Sequence, residues 1–221
     1  MPELIYETVV TTVSPAGEVH VAPMGARYVG DLVLLMPFRP STTLANIEMT
    51  GRAVLNLITD VRVFAGCVTG RKLWPTVELA PLGTDPADTA ARTAPADRRL
   101  ACSLGHVQLR LVEQVDDTQR PLLRLRRAAT AQTGVFQGMN RAQAAVVEAA
   151  VLVSRLHMLP RAKLESEWAW LQIAIDKTAG PSELEAWGWL DDALRRHLDK
   201  LDNPASTAPA SAPTPSLPAT P

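Results

Sequence analysis

The stretch Pro-Phe-Arg-Pro-Ser-Thr-Thr-Leu-Ala-Asn occupies residues 37–46 and follows the apolar run Leu32 to Met36, which predicts a buried strand. Its two prolines are incompatible with a helix interior and keep the first part extended. Ser41 is a favourable N-cap for a short helix that Gly51 closes. The stretch therefore predicts a strand, an extended segment and a capped helix.

Two interpretations of this capped helix remain open. The hydroxyls of Ser41, Thr42 and Thr43, the first helical amides and the positive helix end would together form an anion site, with Arg39 nearby. Alternatively, Ser41 only caps the helix and Arg39 is solvated. Hydroxyl-capped helices far outnumber phosphate sites, so this stretch alone favours the cap.

The composition excludes several classes of protein. The chain has 221 residues, of which 47% are hydrophobic, and a net charge of −1, so it can bury a core but offers no surface for nucleic acid. Its two cysteines, Cys67 and Cys102, are too few for a disulfide framework, and its four histidines lack metal-ligand spacing, so no metal is expected. We find no signal peptide and no membrane-length apolar run, which predicts a soluble, cytoplasmic protein without a membrane partner.

The first two thirds of the chain favour strands. Alternating or β-branched patterns with turn residues between them predict an antiparallel meander that closes into a barrel. The predicted strands are Leu4–Val13, Glu18–Val29, Leu32–Met36, Arg52–Thr59, Leu100–Val115 and Pro121–Ala129. Pro23 and Gly25 interrupt the second strand, which indicates a bulge or an edge where the backbone comes close to another group. Residues 61–68 fit either a strand or a short helix, and residues 85–99 are expected to form a polar loop.

The period changes from two to 3.6 residues at Asn140, which predicts a helical part. Asn140 caps the first helix, Arg161 to Thr178 form the second, and Ser182 with Glu185 is expected to form a capping box for the third. The Pro-, Ala-, Ser- and Thr-rich residues beyond Asn203 are expected to be disordered. The expected domains are a barrel at 1–133, a helical subdomain at 137–202 and a tail at 203–221.

Several motifs, in this order, resemble the FMN-binding split barrels of the flavoredoxin and flavin-reductase type. They are Glu-Thr-Val-Val-Thr-Thr (7–12), Ala-Pro-Met-Gly-Ala-Arg (22–27), Pro-Phe-Arg-Pro-Ser-Thr-Thr (37–43), Asn-Arg-Ala (140–142) and Lys-Thr-Ala-Gly-Pro (177–181). The sequence is most similar to an uncharacterised family of archaea and methylotrophic bacteria whose members have a helical C-terminal part. The resemblance implies an α+β fold with a mainly antiparallel, six-stranded split β-barrel and a C-terminal helical subdomain.

The resemblance also implies an FMN cofactor, bound at the interface of a homodimer. Ser41, Thr42 and Thr43 would hold the flavin phosphate, with Arg39 or Arg27 as countercharge. The segment Ala22, Pro23, Met24 and Gly25 would pass beneath the isoalloxazine, Asn46 would support the phosphate turn, and Thr12, from the Thr-Thr pair, would also bind the flavin. The flavin reductases usually have Lys-Asp where this chain has Ser41-Thr42, so the cofactor is implied more directly than reductase activity. Asn140 and Arg141 match the family too, although a helix cap explains them equally well.

Three functions fit these expectations. The first is a flavoprotein oxidoreductase in which FMN carries the redox chemistry, with a pterin, a deazaflavin or a nicotinamide as redox partner and a link to one-carbon metabolism. No catalytic acid or base is evident in the sequence, which suits hydride or electron transfer. The second is a homodimer that binds FMN for storage, sensing or a structural role without turnover. The third is a dimeric barrel that has lost the cofactor.

Overall fold

A computed structural model describes residues 4–80, 82 and 95–203 of the chain. Most of the predicted 85–99 loop and all but the first residue of the predicted disordered tail lie outside these residues. Within the described part, no helix is both long enough and apolar enough to cross a bilayer.

The barrel consists of six antiparallel strands that close in the order β1-β2-β3-β8-β7-β4, which confirms the predicted fold class. Two further short strands, β5 and β6, pair with each other. The strands are β1 (Tyr6–Val13), β2 (Val19–Val29), β3 (Leu32–Leu35), β4 (Arg52–Leu57), β5 (Thr76–Glu78), β6 (Arg98–Leu100), β7 (Gly105–Val115) and β8 (Leu122–Gln132).

Among the described residues, two helices lie between the strands, and three follow the barrel. The helices are α1 (Thr42–Thr50), α2 (Arg62–Val68), α3 (Arg141–Val153), α4 (Arg161–Thr178) and α5 (Pro181–Asp202), with a 3₁₀ turn at Leu156–Met158. Residues 61–68, which the sequence left open, therefore form a helix. Arg98–Leu100, expected to belong to the polar loop or to begin a long strand, form the short strand β6, and the long strand β7 begins only at Gly105.

Both faces of β1 are buried because the strand separates two hydrophobic cores. Val10 lies in the barrel interior, where Leu44 and Ile47 of α1 close the core. Val9 points the other way, into a second core formed by α2 and the C-terminal helices. This double burial explains why the Val-Val-Thr-Thr-Val run has no charged residue, and the shared second core places the helical part on the outer side of the barrel.

The predicted capping box of the last helix is wrong. Gly180 is the N-cap and Pro181 occupies the first helical turn, where proline is favoured. The Gly180 amide donates to Glu183 Oε2 over 3.0 Å, so Glu183 performs the task expected of Glu185. Glu185 instead forms an ion pair with Arg62 Nη1, 3.2 Å away, which connects α5 to α2.

A buried carboxylate attaches the β5–β6 ribbon to the barrel. Asp97 is 6% exposed and lies 2.9 Å from Arg110 Nη1 and 3.4 Å from Arg52 Nη1. The Leu100 amide also donates to Asn56 Oδ1 over 2.8 Å. These contacts hold Asp97 and the strand β6 that follows it against β4 and β7.

Candidate functional site

Strands β2 and β3 separate on one side of the barrel and leave a split. Their pairing runs only from Ala26↔Leu35 to Val29↔Leu32, whereas β2 pairs with β1 along Val19 to Ala26. Among the residues that the structure describes, residues 19–25 of β2 therefore have a strand partner on one edge only. The sequence interpretation of an edge is confirmed, and that of a bulge is wrong, because the register between β1 and β2 is uninterrupted. An edge tolerates Pro23, which has no amide hydrogen to donate to a neighbouring strand.

A cavity of about 490 Å³ opens beside this free edge, within the range of 300–1,000 Å³ that is usual for small-molecule sites. The outer faces of β1 and β2 form one wall, α2 and α3 form the opposite wall, and the segment after β3 closes one end. The lining residues are Ile5, Glu7, Pro23, Met24, Gly25, Arg27, Met36, Pro37, Phe38, Phe64, Val68, Arg120, Val147, Ala150, Val151, Ser154 and Arg155.

The cavity has a positive balance of charge. Three arginines and one acid, Glu7, are among its lining residues. Arg27 donates to the Met36 sulfur over 3.0 Å. Arg120 donates to the Met36 carbonyl over 3.2 Å and stacks on the Phe38 ring with its guanidinium carbon 4.4 Å from the centroid. Arg155, just beyond α3, is exposed on the rim. An excess of cations over acids favours a ligand that carries negative charge.

Gly25 occupies a crowded position in the cavity wall. A Cβ atom at Gly25 would lie 2.7 Å from Ile5 Cγ2, closer than such atoms approach one another in proteins. The glycine therefore allows Ile5, which also lines the cavity, to lie against β2. This close approach within the chain accounts for the glycine in the Ala-Pro-Met-Gly motif without reference to a bound molecule.

The N-terminus of α1 has the predicted cap. The Leu44 amide donates to Ser41 Oγ over 3.2 Å, and Gly51 ends the helix with a φ of 66°. Thr42 is exposed, and its amide and that of Thr43 precede the first intrahelical hydrogen bond, from Ala45 to Ser41. Ser41 is three positions along the chain from Phe38 at the end of the cavity, a path of at most about 11 Å. The cap and an anion site at the same helix end are compatible.

Three of the predicted site residues are buried on the barrel side of α1 or on β1 rather than in the cavity. Thr12, Thr43 and Asn46 are 1%, 1% and 3% exposed. Asn46 Nδ2 donates to Thr12 Oγ1 over 3.0 Å, a bond that ties α1 to the end of β1. In this structure Thr12 and Asn46 position the helix that carries the hydroxyl groups.

Arg39 is already paired with two carboxylates. Its Nη2 lies 3.4 Å from Glu48 and 3.0 Å from Asp116, and its amide donates to the Gln119 carbonyl over 2.8 Å. These contacts fix the extended segment before α1 against the turn between β7 and β8. Of the two predicted countercharges, Arg27 is therefore the one that lines the cavity.

The predicted site residues thus fall into three groups. Those that line the cavity are Pro23, Met24, Gly25 and Arg27; those on the surface beyond Phe38 are Arg39, Ser41 and Thr42; those outside both groups are Thr12, Ala22, Thr43 and Asn46. Sequence reasoning missed the opposite wall, above all Val147, Val151 and Arg155. One signal was present in the sequence: the apolar residues of α3 extend beyond one stripe, since the adjacent Val146 and Val147 point in different directions. In the structure Val146 is buried and Val147 is half-buried.

The other reactive side chains offer no alternative centre. Cys67 and Cys102 are half-buried, and burial raises the pKa of both thiols, that of Cys67 to about 11, so neither is a thiolate at neutral pH. No group of three or more His, Cys, Asp and Glu side chains within the described ranges is arranged to bind a metal. His106 lies in a second, largely apolar cavity of about 470 Å³, where burial lowers its pKa.

The two parts of a family described as protein of unknown function (DUF447) match residues 6–133 and 140–192, its N-terminal domain and its second domain. No curated protein matches the sequence.

Among solved structures, that of an FMN-bound protein from Methanosarcina mazei, assigned to the DUF447 family, has a TM-score of 0.69 at 18% identity and covers 87% of this chain and 96% of that one. This likeness supports the fold. A 2-nitrobenzoate 2-nitroreductase from Pseudomonas fluorescens has a TM-score of 0.45 at 17% identity, covering 60% of this chain and 66% of its own. The styrene monooxygenase flavin reductase from Pseudomonas putida S12 has a TM-score of 0.43 at 14% identity, covering 58% of this chain and 81% of its own.

Proposed function

The chain belongs to the DUF447 family of proteins of unknown function, and from this premise we propose that it is an FMN-binding flavoprotein whose flavin lies in the cavity at the split. The FMN-bound protein from Methanosarcina mazei, with the same fold over 87% of this chain, supports the identity of the cofactor. The observation that carries the proposal is the free edge of β2 at Pro23 to Gly25, which lines a cavity of about 490 Å³ together with arginines.

The residues of the cavity fit the parts of FMN. A strand edge presents unpaired backbone amides and carbonyls, which are the groups that recognise the polar rim of an isoalloxazine ring. Phe64, Val147 and Val151 give the cavity an apolar wall opposite the strand edge, which limits the access of water to the ring. Arg27 supplies positive charge close to the strand edge.

The phosphate group belongs at the N-terminus of α1 in this proposal. The exposed Thr42 hydroxyl and the first helical amides point to an anion site at the positive end of the helix. The buried pair Thr12 and Asn46 holds that helix end in place. These residues bind and orient the cofactor.

The reaction that fits best is an oxidoreduction, since FMN supplies hydride or electron transfer when it is bound. The protein is then required to hold the ring, shield one face and leave the other accessible. The described lining contains no histidine or cysteine, and its one acid, Glu7, is exposed, which suits chemistry that needs no strong acid or base from the protein.

We also propose that two copies of the chain associate. Several large apolar side chains near the ends of β1 and β4 and after β8 are exposed, and their burial in a dimer would be favourable. They are Leu4, Ile5, Tyr6, Leu57, Val135, Phe136 and Met139, which are between 44% and 89% exposed.

The test is to reconstitute the protein with FMN, remove free flavin and record the visible spectrum. Anaerobic addition of NADH, NADPH, reduced deazaflavin or a reduced pterin then asks whether the bound flavin accepts electrons. Bleaching by one of these donors supports an oxidoreductase. A retained flavin that no donor reduces supports FMN binding without turnover, and failure to retain flavin overturns the proposal.

A further inference from the structure

We propose that the cavity binds a second ligand, an organic anion with an apolar body, and that Arg155 from the helical part recognises its negative charge. This proposal rests on the proposed function, because the second ligand would share the cavity with the flavin. It assigns the helical part a role beyond that of an apolar wall of the flavin cavity.

The helical part forms one wall of the cavity instead of lying elsewhere on the barrel. Val147, Ala150, Val151 and Ser154 of α3 and its C-terminus face the Pro23–Gly25 edge across the cavity, with Arg155 immediately beyond. A flavin ring that lies on the strand edge would therefore have α3 opposite its exposed face. A molecule that exchanges electrons with the flavin must enter between these two walls.

The chemistry of this wall defines the ligand. Val147 and Val151, with Phe64 of α2, offer apolar contact to the body of a small molecule. Arg155 offers a guanidinium at the rim, a group suited to carboxylate or phosphate. The combination selects a molecule that is apolar at one end and anionic at the other.

Arg155 differs from the other two arginines of the cavity in its contacts. Arg27 donates to the Met36 sulfur, and Arg120 donates to the Met36 carbonyl and stacks on Phe38. The Arg155 guanidinium, in contrast, has no ion pair or hydrogen bond with any of the residues that the structure describes. An exposed cation with no carboxylate partner among the described residues, on the rim of a cavity lined by more arginines than acids, is available to an incoming anion.

The experiment uses 4-fluorobenzoate, 4-fluorophenyl phosphate and the uncharged 4-fluorobenzamide as probes, with binding measured by fluorine NMR line broadening. The parent, Arg155→Ala and the control Arg196→Ala are compared with and without FMN. Arg196 is an exposed arginine of α5 that does not line the cavity, so its loss changes the net charge equally. The affinities for FMN and riboflavin are measured on the same three proteins.

We expect the parent to bind at least one anionic probe about tenfold more tightly than the amide, because a hydrogen bond to a charged group contributes enough free energy for a tenfold change in Kd. Arg155→Ala should abolish this preference, and Arg196→Ala should retain it, with FMN affinity unchanged in both. The stronger of the two anionic probes identifies carboxylate or phosphate as the preferred group. Equal binding of anions and amide, or a preference that survives Arg155→Ala, overturns the proposal.

Two further outcomes separate this proposal from the flavin site itself. If Arg155→Ala weakens FMN but not riboflavin, Arg155 holds the flavin phosphate and the second-ligand proposal is overturned. If none of the three proteins binds flavin while the parent still prefers anions through Arg155, the proposed function fails and the anion site stands.

Discussion

The hydroxyl of Thr42 provides the sharpest test of where the flavin phosphate binds. Thr42 is exposed at the first position of α1, so Thr42→Ala should change the free energy of unfolding by no more than about 0.5 kcal/mol. A hydrogen bond to a charged acceptor contributes roughly 1.5–3 kcal/mol, which corresponds to about tenfold to a hundredfold in Kd. We therefore expect FMN affinity to fall by at least about tenfold while the fold is unaffected.

The structure shows why Thr42, rather than its neighbours, should be changed. Thr43 is 1% exposed, so Thr43→Ala would leave a buried gap and confuse loss of binding with loss of stability. Ser41 accepts from the Leu44 amide, so Ser41→Ala would remove a cap and cost about 0.5–2 kcal/mol of stability. Thr42→Ser is the matched control, because it keeps the hydroxyl and should keep FMN affinity.

The assay is a fluorescence titration of each variant with FMN and with riboflavin, which has no phosphate. The phosphate assignment predicts that Thr42→Ala weakens FMN binding and leaves riboflavin binding unchanged. Equal FMN affinity in Thr42→Ala and the parent would refute the assignment, and so would an equal loss for both flavins.

Three further results are expected. Gly66→Ala should destabilise the protein despite its gain in helix propensity of about 1 kcal/mol, because the new Cβ would overlap the Trp74 ring and overpacking costs about 1–3 kcal/mol. Urea unfolding should show this loss of stability, and Gly66→Ala should cause no such loss when it is made in a Trp74→Leu background. Burial lowers the pKa of His20 and of His106 below the usual 6.5, so the unfolded chain binds more protons than the folded chain as the pH falls. The contribution of these histidines to the free energy of unfolding should therefore be complete above pH 6.5 and be lost as the pH drops below it. A free energy of unfolding that stays constant between about pH 7.5 and 5.5, or that falls as steeply in His106→Gln as in the parent, would contradict this reasoning. Sedimentation velocity at micromolar concentration should show a dimer, and a monomer with FMN bound would exclude a shared site.

The elements that short-range patterns define could be predicted from the sequence. The six barrel strands follow from alternation and β-branched runs, and the bounds of α4 coincide with the prediction because Pro160 and Gly180 flank it. The cap of α1 by Ser41 was predictable because the side chain and the amide that it accepts from are only three residues apart.

Features that depend on tertiary contacts could not be predicted. Arg155 reaches the rim of the cavity only because α3 packs against α2 and shares a hydrophobic core with Val9 of β1, contacts between distant parts of the chain. Asp97 lies in what the sequence indicated to be a polar loop, yet it is buried by two arginines of β4 and β7. Gly180 replaces Ser182 as the cap of α5 because Pro181 favours the first turn of a helix, a preference that the capping-box pattern alone does not weigh.

The most direct test of the central claim is equilibrium titration of the flavin-free protein with FMN, with riboflavin as the comparison. The proposed site predicts saturable binding of one FMN per chain, at least about tenfold tighter than riboflavin because of the phosphate contacts. Absence of saturable FMN binding, or equal affinity for the two flavins, would contradict it.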